Sequence, residues 1–133
     1  MAEPDNLVDV FLQPGEYFVG DAGFRVSTLL GSCVSITLWQ PQRRIGAMSH
    51  FLLPARLRGE AGAGALDGRY GEEALALMLA ELARAGVRAG ACEAKIFGGG
   101  NMFARRRRDG AGVGRQNGDA ARRMLAALAI PVR

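Results

Sequence analysis

A cysteine and the chain's single histidine stand at a spacing that suits nucleophilic catalysis. Cys33 follows Gly31 and Ser32, and His50 lies 17 residues further along the chain. A cysteine attacks a carbonyl carbon as its thiolate, and a neighbouring imidazole accepts the proton that the thiol must lose. Gly31 permits a bend that would aim backbone N–H groups at a developing oxyanion. The pair predicts hydrolysis by a cysteine nucleophile; the alternative is that both side chains only pack, as lone cysteines and histidines often do.

Two apolar β-type runs carry these residues, and one turn joins them. Residues 34–39 and 45–50 flank a short polar stretch that contains Pro41, which is typical of a β-hairpin. A turn centred between Pro41 and Gln42 pairs Cys33 directly with His50. Directly opposed side chains have Cβ atoms about 5 Å apart. We therefore expect the thiol and the imidazole to face each other across the hairpin.

The composition fits one domain that spans residues 1–133. The chain is 49% hydrophobic and has no run of the roughly 18 apolar residues that a membrane-spanning helix needs. Its first residues lack the pattern of a signal peptide, so we expect a cytoplasmic protein with no membrane insertion. In that compartment Cys33 and Cys92 are expected to stay unbridged. The sequence shows no set of zinc ligands and no cofactor motif, so we expect neither a metal nor a cofactor.

The net charge is +4, and the densest cationic run is Arg105 to Arg108. Such a run can neutralise phosphates in a nucleic-acid site. It is not accompanied by interleaved aromatic residues, zinc ligands or a helix-turn-helix pattern. A solvated loop or a docking surface for an acidic protein is therefore the favoured interpretation. An arginine-rich nucleic-acid-binding domain is the minority alternative, and no nucleic-acid partner is expected.

The predicted elements alternate as in a mixed α/β domain. Strands are predicted at residues 7–12, 16–19, 24–30, 34–39, 45–50 and 91–97. Residues 71–86 have apolar side chains at helical spacing, and a second helix is predicted from about Asn117 to about Ala129. Cys92 falls on the apolar face of the last strand, which indicates packing rather than chemistry.

A glycine-rich segment, Gly98 to Gly100, follows the last predicted strand. Its spacing fits neither phosphate-binding fingerprint, so a phosphate loop is rejected. Glycines at a turn allow the backbone to approach other groups closely. We expect such a turn here, beside Met102 and Phe103, two apolar residues that we expect to be partly exposed for a partner.

Five ordered blocks resemble the CheD family, the chemoreceptor glutamine deamidases. They are Leu30-Gly31-Ser32-Cys33-Val34, His50 with Leu53-Pro54, Arg69-Tyr70, Lys95-Ile96-Phe97-Gly98-Gly99 with Met102-Phe103, and Val113-Gly114-Arg115-Gln116-Asn117. The resemblance implies a layered α/β/β/α sandwich of mixed, largely antiparallel sheet with two main helices, similar to the catalytic domain of cytotoxic necrotizing factor toxins. Family chains usually continue beyond Pro131-Val132, so the C-terminal strands are expected to be missing.

The activity implied by this resemblance is hydrolysis of glutamine side-chain amides on methyl-accepting chemotaxis receptors, with glutamate and ammonia as products. Cys33 would form a thioester, and His50 would stabilise its thiolate, protonate the ammonia and activate water. In the family a hydroxyl residue shortly before the cysteine orients the histidine. Thr28 is preferred for this role here, and Ser27 is the alternative. Backbone N–H groups near Cys33 are candidates for the oxyanion hole.

The resemblance also implies partners, namely the receptors and, for some family members, CheC, a phosphatase of phosphorylated CheY. The residues expected to bind the substrate or a partner are Gly31, Ser32, Gly98, Gly99, Met102 and Phe103. For Met102 and Phe103 a tight turn with two core side chains is the alternative. The alternative function is a weakly catalytic or non-catalytic regulator that binds CheC, because missing terminal strands could disable the site.

Overall fold

The computed structural model describes residues 6–57, 64–100 and 112–133. In chain order, the elements of this part are the strands β1 (Val8–Phe11), β2 (Tyr17–Asp21), β3 (Phe24–Ser27), β4 (Val34–Gln40) and β5 (Ile45–Ser49), the helix α1 (Gly71–Arg84), the strand β6 (Glu93–Gly98) and the helix α2 (Val113–Ala127). The prediction of a mixed α/β fold with two helices and largely antiparallel sheet is confirmed. Met102 and Phe103 lie outside the described residues.

A four-stranded antiparallel sheet forms the centre of the fold, in the order β2-β5-β4-β6. The strands β1 and β3 pair in parallel as a separate small sheet. The rings of Phe18 on β2 and Phe24 on β3 lie 5.0 Å apart, so the small sheet contacts the main one near β2. Among the described residues, no helix is long and apolar enough to cross a membrane.

Both helices pack on one face of the main sheet, which we call the helix face. On β4 this face presents Val34, Ile36 and Leu38, each at most 1% exposed. Facing these residues in one core cluster are Leu75, Met78 and Leu82 from α1 and Ala121 and Leu125 from α2. Because successive side chains of a strand alternate, residues 33, 35 and 37 point to the opposite face, which we call the open face.

The helix α2 begins four residues before its predicted start. We expected the start near Asn117, but Val113 is the first helical residue, after the N-cap Gly112. Glycine weakens a helix, so Gly114 concealed this first turn from prediction. The structure gives the reason for that glycine: a Cβ there would lie 2.6 Å from the carbonyl oxygen of Gly99. Asn117 thus lies inside the helix, not at its start.

The packing role predicted for Cys92 is confirmed, because its side chain is 3% exposed and belongs to the core cluster. The helix α1 also matches its prediction. It ends at Arg84, and Gly86 follows in the left-handed conformation, with φ +80°. A glycine in that conformation is a common helix stop because it has no Cβ to clash with the backbone.

The turn between β4 and β5 is centred one residue later than predicted. Gln40 pairs with Ile45, so the centre lies between Gln42 and Arg43. The turn closes with Arg44 in the left-handed region, at φ +56°, where its N–H donates to the carbonyl oxygen of Gln40 at 2.8 Å. The predicted centre, between Pro41 and Gln42, is therefore wrong.

This correction changes the pairing of the candidate site residues. The bridge between Val34 and Phe51 has the same register as the rest of the hairpin, so His50 lies opposite Ser35. The prediction that Cys33 lies directly opposite His50 is wrong. However, moving the turn centre by one residue shifts the pairing by two, an even number, so the side chains stay on the same face. Cys33 and His50 are diagonal neighbours on the open face.

Candidate active site

The segment that carries Cys33 is tied to the glycine-rich segment after β6. The N–H of Gly99 donates to the carbonyl oxygen of Cys33 at 2.9 Å, and the N–H of Gly100 donates to that of Gly31 at 3.0 Å. Gly98 has φ +91°, and a Cβ there would lie 2.4 Å from the carbonyl oxygen of Cys33. Only glycine lets β6 end so close to Cys33. Gly98 and Gly99 therefore support the Cys33 segment through their backbone.

His50 continues the line of β5 and is buried, with 3% of its surface exposed. Its N–H donates to the carbonyl oxygen of Glu16 at 3.2 Å, and its own carbonyl oxygen accepts from the N–H of Gly15 at 2.8 Å. These two bonds attach the residue to the chain that leads into β2. The backbone of the histidine is thus fixed on the side away from β4.

Thr28, which follows β3, holds the imidazole ring. Its Oγ1 donates to the carbonyl oxygen of Leu12 at 2.8 Å and lies 2.7 Å from Nδ1 of His50. A hydroxyl has one proton, and a carbonyl oxygen can only accept, so the second bond must run from Nδ1–H to Oγ1. Nε2 is then the unprotonated nitrogen of the neutral ring. The alternative residue, Ser27, is exposed, and its carbonyl oxygen accepts from the N–H of Leu12 at 2.8 Å.

Ser49 closes the hairpin beside the histidine. Its Oγ accepts from the N–H of Ile36 at 3.1 Å and donates to the carbonyl oxygen of the same residue at 3.4 Å. The side chain thereby replaces the backbone bonds that this pair would otherwise make. The two strands therefore stay connected at the end of β5, directly before His50.

Asn117 joins the two site segments from below, and the sequence had given it no role. Its Nδ2 donates to the carbonyl oxygens of Ser32 at 3.2 Å and of Leu52 at 2.8 Å. The side chain is fully buried. The sequence marked Asn117 only as the last residue of a block that resembles the CheD family, and the glycines around it hid that the segment is helical.

Burial shifts both titrating groups of the site toward their uncharged forms. It raises the pKa of the Cys33 thiol and lowers the pKa of the His50 imidazolium. The resting site therefore holds a thiol and a neutral imidazole at neutral pH, and the imidazole has the protonation state of a general base. Within the described ranges, no group of three or more histidine, cysteine, aspartate or glutamate side chains could hold a metal ion.

A groove with a volume of about 480 Å³ lies between the open face and the small sheet. Its main lining side chains are Phe18, Phe24, Val26, Thr37, Trp39, Met48, Glu93 and Lys95. Thr37 and Met48 share the open face with Cys33 and His50, so the groove floor and the candidate nucleophile lie on one surface. The predicted binding residues Gly31, Ser32, Gly98 and Gly99 are not in this lining; they surround the Cys33 segment.

Comparison with known proteins identifies the family. The family model described as CheD chemotactic sensory transduction matches residues 52–133. The curated protein named Probable chemoreceptor glutamine deamidase CheD 2, from Albidiferax ferrireducens, is 56% identical over 133 residues, which cover 99% of this chain and 76% of that protein. This chain belongs to the CheD family.

A second CheD relative supports the assignment over nearly the same length. The protein named Probable chemoreceptor glutamine deamidase CheD 3, from Dechloromonas aromatica, is 48% identical over 126 residues, or 95% of this chain and 73% of that protein. The CheD family model begins after Cys33 and His50, but the alignment with the Albidiferax relative covers both. The CheD match thus includes the cysteine and histidine segments as well as α2.

Proposed function

We propose that this chain is a chemoreceptor glutamine deamidase, which hydrolyses glutamine side-chain amides of methyl-accepting chemotaxis receptors to glutamate and ammonia. The observation that carries the proposal is the hydrogen bond from Nδ1 of His50 to Thr28, which leaves Nε2 free as a base on the face of Cys33. The two CheD relatives described above are named chemoreceptor glutamine deamidases, which supports the same substrate class.

The proposed reaction starts with transfer of the Cys33 thiol proton to Nε2 of His50. The thiolate attacks the carboxamide carbon, a carbon–sulfur bond forms, and the carbonyl electron pair moves onto oxygen. When the carbonyl reforms, the carbon–nitrogen bond breaks and the imidazolium protonates the departing nitrogen, which leaves as ammonia. The product of this half-reaction is a thioester between Cys33 and the glutamyl side chain.

Water completes the reaction from the same face. Nε2 of His50 removes one proton as the water oxygen attacks the thioester carbon, and the imidazolium returns a proton to sulfur as the carbon–sulfur bond breaks. The product is glutamate, and Cys33 is again a thiol. General acid–base transfer of this kind contributes about 10²- to 10⁴-fold to a rate. Thr28 contributes by accepting from Nδ1–H, because that bond strengthens when the ring becomes cationic.

The open-face groove suits a polypeptide substrate. Its volume of about 480 Å³ lies in the range of ligand-binding clefts and accommodates a few side chains rather than a whole helix. Its lining is mostly apolar, with Lys95 and Glu93 at one end. We infer that apolar side chains of a receptor helix enter this groove while a neighbouring glutamine reaches Cys33.

The fold proposed for the complete family domain is the layered α/β/β/α sandwich that resembles the cytotoxic necrotizing factor catalytic domain. The described helices, the main sheet and the small sheet support this proposal. Phe11 lies on the side of the small sheet away from the groove and is 50% exposed, so this side offers some apolar surface for a further layer. The matches cover 76% and 73% of the two relatives described above.

CheC is proposed as a second partner, one that competes with the receptor. The surface proposed for it borders the glycine-rich segment at Gly98 and Gly99. Excess CheC is expected to lower the rate of receptor deamidation without inactivating Cys33. The alternative function, regulation of CheC without catalysis, predicts CheC binding by a chain that releases no ammonia.

The decisive experiment measures ammonia release from a purified cytoplasmic fragment of a chemoreceptor, with glutamine-to-glutamate changes mapped by mass spectrometry. The wild-type chain is compared with Cys33→Ala and with Cys92→Ala, a matched control for loss of a thiol away from the site. Release that is absent only in Cys33→Ala supports the proposal. Equal release by both variants, or none from the folded wild-type chain with several receptors, contradicts it.

A further inference from the structure

Asn117 connects the two segments that carry the site residues. Its amide nitrogen donates to the carbonyl oxygen of Ser32, directly before Cys33, and to that of Leu52, two residues after His50. Both bonds come from one side chain on α2 and reach across the helix face. The nucleophile segment and the base segment thus share one anchor in the core.

The donated bonds fix the orientation of this amide. Both partners are carbonyl oxygens, which only accept, so the NH₂ group must face them and Oδ1 must point the other way. In the described part of the chain, Oδ1 is buried without a hydrogen-bond partner. A buried oxygen without a partner destabilises the fold. The fold keeps this unfavourable arrangement, which indicates that the position of the two carbonyls matters.

The bond to Ser32 also fixes the direction of the next N–H group. The carbonyl oxygen of Ser32 and the N–H of Cys33 belong to one planar trans peptide, so they point in opposite directions. Asn117 holds the oxygen toward α2, and the N–H of Cys33 must therefore point away from the helix layer. Within the described residues this N–H has no hydrogen-bond partner.

We propose that Asn117 is a positioning residue that holds the peptide between Ser32 and Cys33 so that the Cys33 N–H donates to the oxyanion. This inference rests on the thioester mechanism proposed above. As the carbon–sulfur bond forms, the negative charge develops on an oxygen attached to the same carbon as Sγ, close to the N–H of the attacking residue. A donor fixed in advance stabilises that charge without reorganising during the reaction. The bond to Leu52 keeps the anchor in place from the side of His50.

The test compares Asn117→Ala with Leu125→Ala, a matched control on the same helix. Leu125 is fully buried in the core, and its apolar side chain cannot donate a hydrogen bond to either carbonyl oxygen. Its truncation therefore weakens the helix packing alone. Ammonia release gives kcat and KM, and unfolding curves give the folded fraction. Alkylation of Cys33 by iodoacetamide between pH 5 and 9, in a Cys92→Ala background, reports the thiolate without forming an oxyanion.

The expected result is a separation of the two chemistries. In Asn117→Ala, kcat falls by roughly tenfold or more, because loss of one oxyanion donor costs about a hundredfold and misorientation of that donor costs part of it. KM and the pH profile of alkylation stay within about twofold of the wild-type values. Leu125→Ala keeps kcat once the rate is corrected for the folded fraction. Asn117→Ser has a higher kcat than Asn117→Ala, since the serine hydroxyl can donate one hydrogen bond. If Asn117→Ala does not fold, the kcat of Asn117→Ser tests the inference instead.

Three results would overturn the inference. They are an unchanged kcat in the Asn117 variants, an equal loss of kcat and alkylation rate, and a loss of kcat in Leu125→Ala as large as in Asn117→Ala. Absence of ammonia release from the wild-type chain is a separate outcome. It refutes the proposed function, and the inference with it, whereas an active wild type with an active Asn117→Ala refutes the inference alone.

Discussion

Replacing Thr28 by valine removes one hydroxyl from the site and leaves the shape of the side chain almost unchanged. The wild-type hydroxyl donates to the carbonyl oxygen of Leu12 and accepts from Nδ1 of His50. In the variant both partners lose their bond in a buried place. The ring also loses the constraint that keeps its proton on Nδ1, so the tautomer with Nε2 protonated, which cannot accept the thiol proton, becomes accessible.

The size of the effect follows from the charge that the ring acquires. A hydrogen bond between neutral groups contributes about 0.5–1.5 kcal/mol, and one from a charged donor about 1.5–3 kcal/mol. Loss of the acceptor therefore costs the imidazolium about 1.4 kcal/mol more than the imidazole, which corresponds to about tenfold in rate or one pKa unit. The pKa of the imidazolium therefore falls by about one unit, and the pair of thiolate and imidazolium becomes about tenfold less populated at neutral pH.

The assay measures the alkylation rate of Cys33 and the rate of ammonia release from pH 5 to 9. In Thr28→Val we expect the acid limb of both profiles to move to lower pH by about one unit, because the imidazolium loses its proton more easily, and kcat/KM at neutral pH to fall about tenfold. Thr28→Ser is the matched control, because it retains the hydroxyl and should restore both. An unshifted acid limb together with a kcat/KM within twofold of wild type would refute the assigned direction of the hydrogen bond.

Three further predictions concern the surroundings of the site. Gly98→Ala should remove most ammonia release and lower the melting temperature. The new Cβ would lie too close to the carbonyl oxygen of Cys33, and the backbone there has φ +91°. Gly90→Ala is the control, because the space around Gly90 is open. Acidification from pH 7 to 5 should lower the free energy of unfolding. Burial lowers the pKa of His50 in the folded chain, so the unfolded chain binds the proton more tightly. Urea titrations of His50→Gln at the two pH values should show a smaller decrease. Ser35→Ala should leave the free energy of unfolding unchanged or raise it by about 1 kcal/mol, because the buried Oγ of Ser35 has no hydrogen-bond partner among the described residues. A decrease in thermal or urea stability would show that this hydroxyl is bonded.

The sequence predicted the face of the hairpin but not its register. The predicted pairing puts Cys33 and His50 on one face, and the observed register, which differs by two residues, keeps them there. The register depends on how the turn closes, and the left-handed Arg44 and its bond to Gln40 extend β4 by one residue, so that Gln40 pairs with Ile45. Pro41 suggested an earlier centre. An arginine in the left-handed conformation has no clear sequence signal, because this conformation is usually adopted by glycine or asparagine.

The choice between Ser27 and Thr28 also depended on long-range contacts. Neighbouring residues of an extended chain point to opposite sides, so one of them had to face the histidine. Which one does is decided by where the small sheet sits, and that position follows from the pairing of β1 with β3 and from the contact of Phe18 with Phe24. Neither contact is visible in local periodicity. The role of Asn117 was missed for a similar reason, since its two partners lie 85 and 65 residues away.

In the proposed mechanism, the hydrogen-bond donors and acceptors around Cys33 and His50 stabilise charge only while the substrate reacts. Burial favours the thiol and the neutral imidazole in the resting site. Thr28, the acceptor for Nδ1–H of His50, is fixed by its bond to the carbonyl oxygen of Leu12. The N–H of Cys33, the proposed oxyanion donor, is fixed because Asn117 binds the carbonyl oxygen of Ser32. Interactions that strengthen only as charges develop lower the barrier without stabilising the resting enzyme. The partial burial that favours the Cys33 thiol at rest would therefore also increase the effect of each fixed dipole on the proposed transition state, because water screens it less.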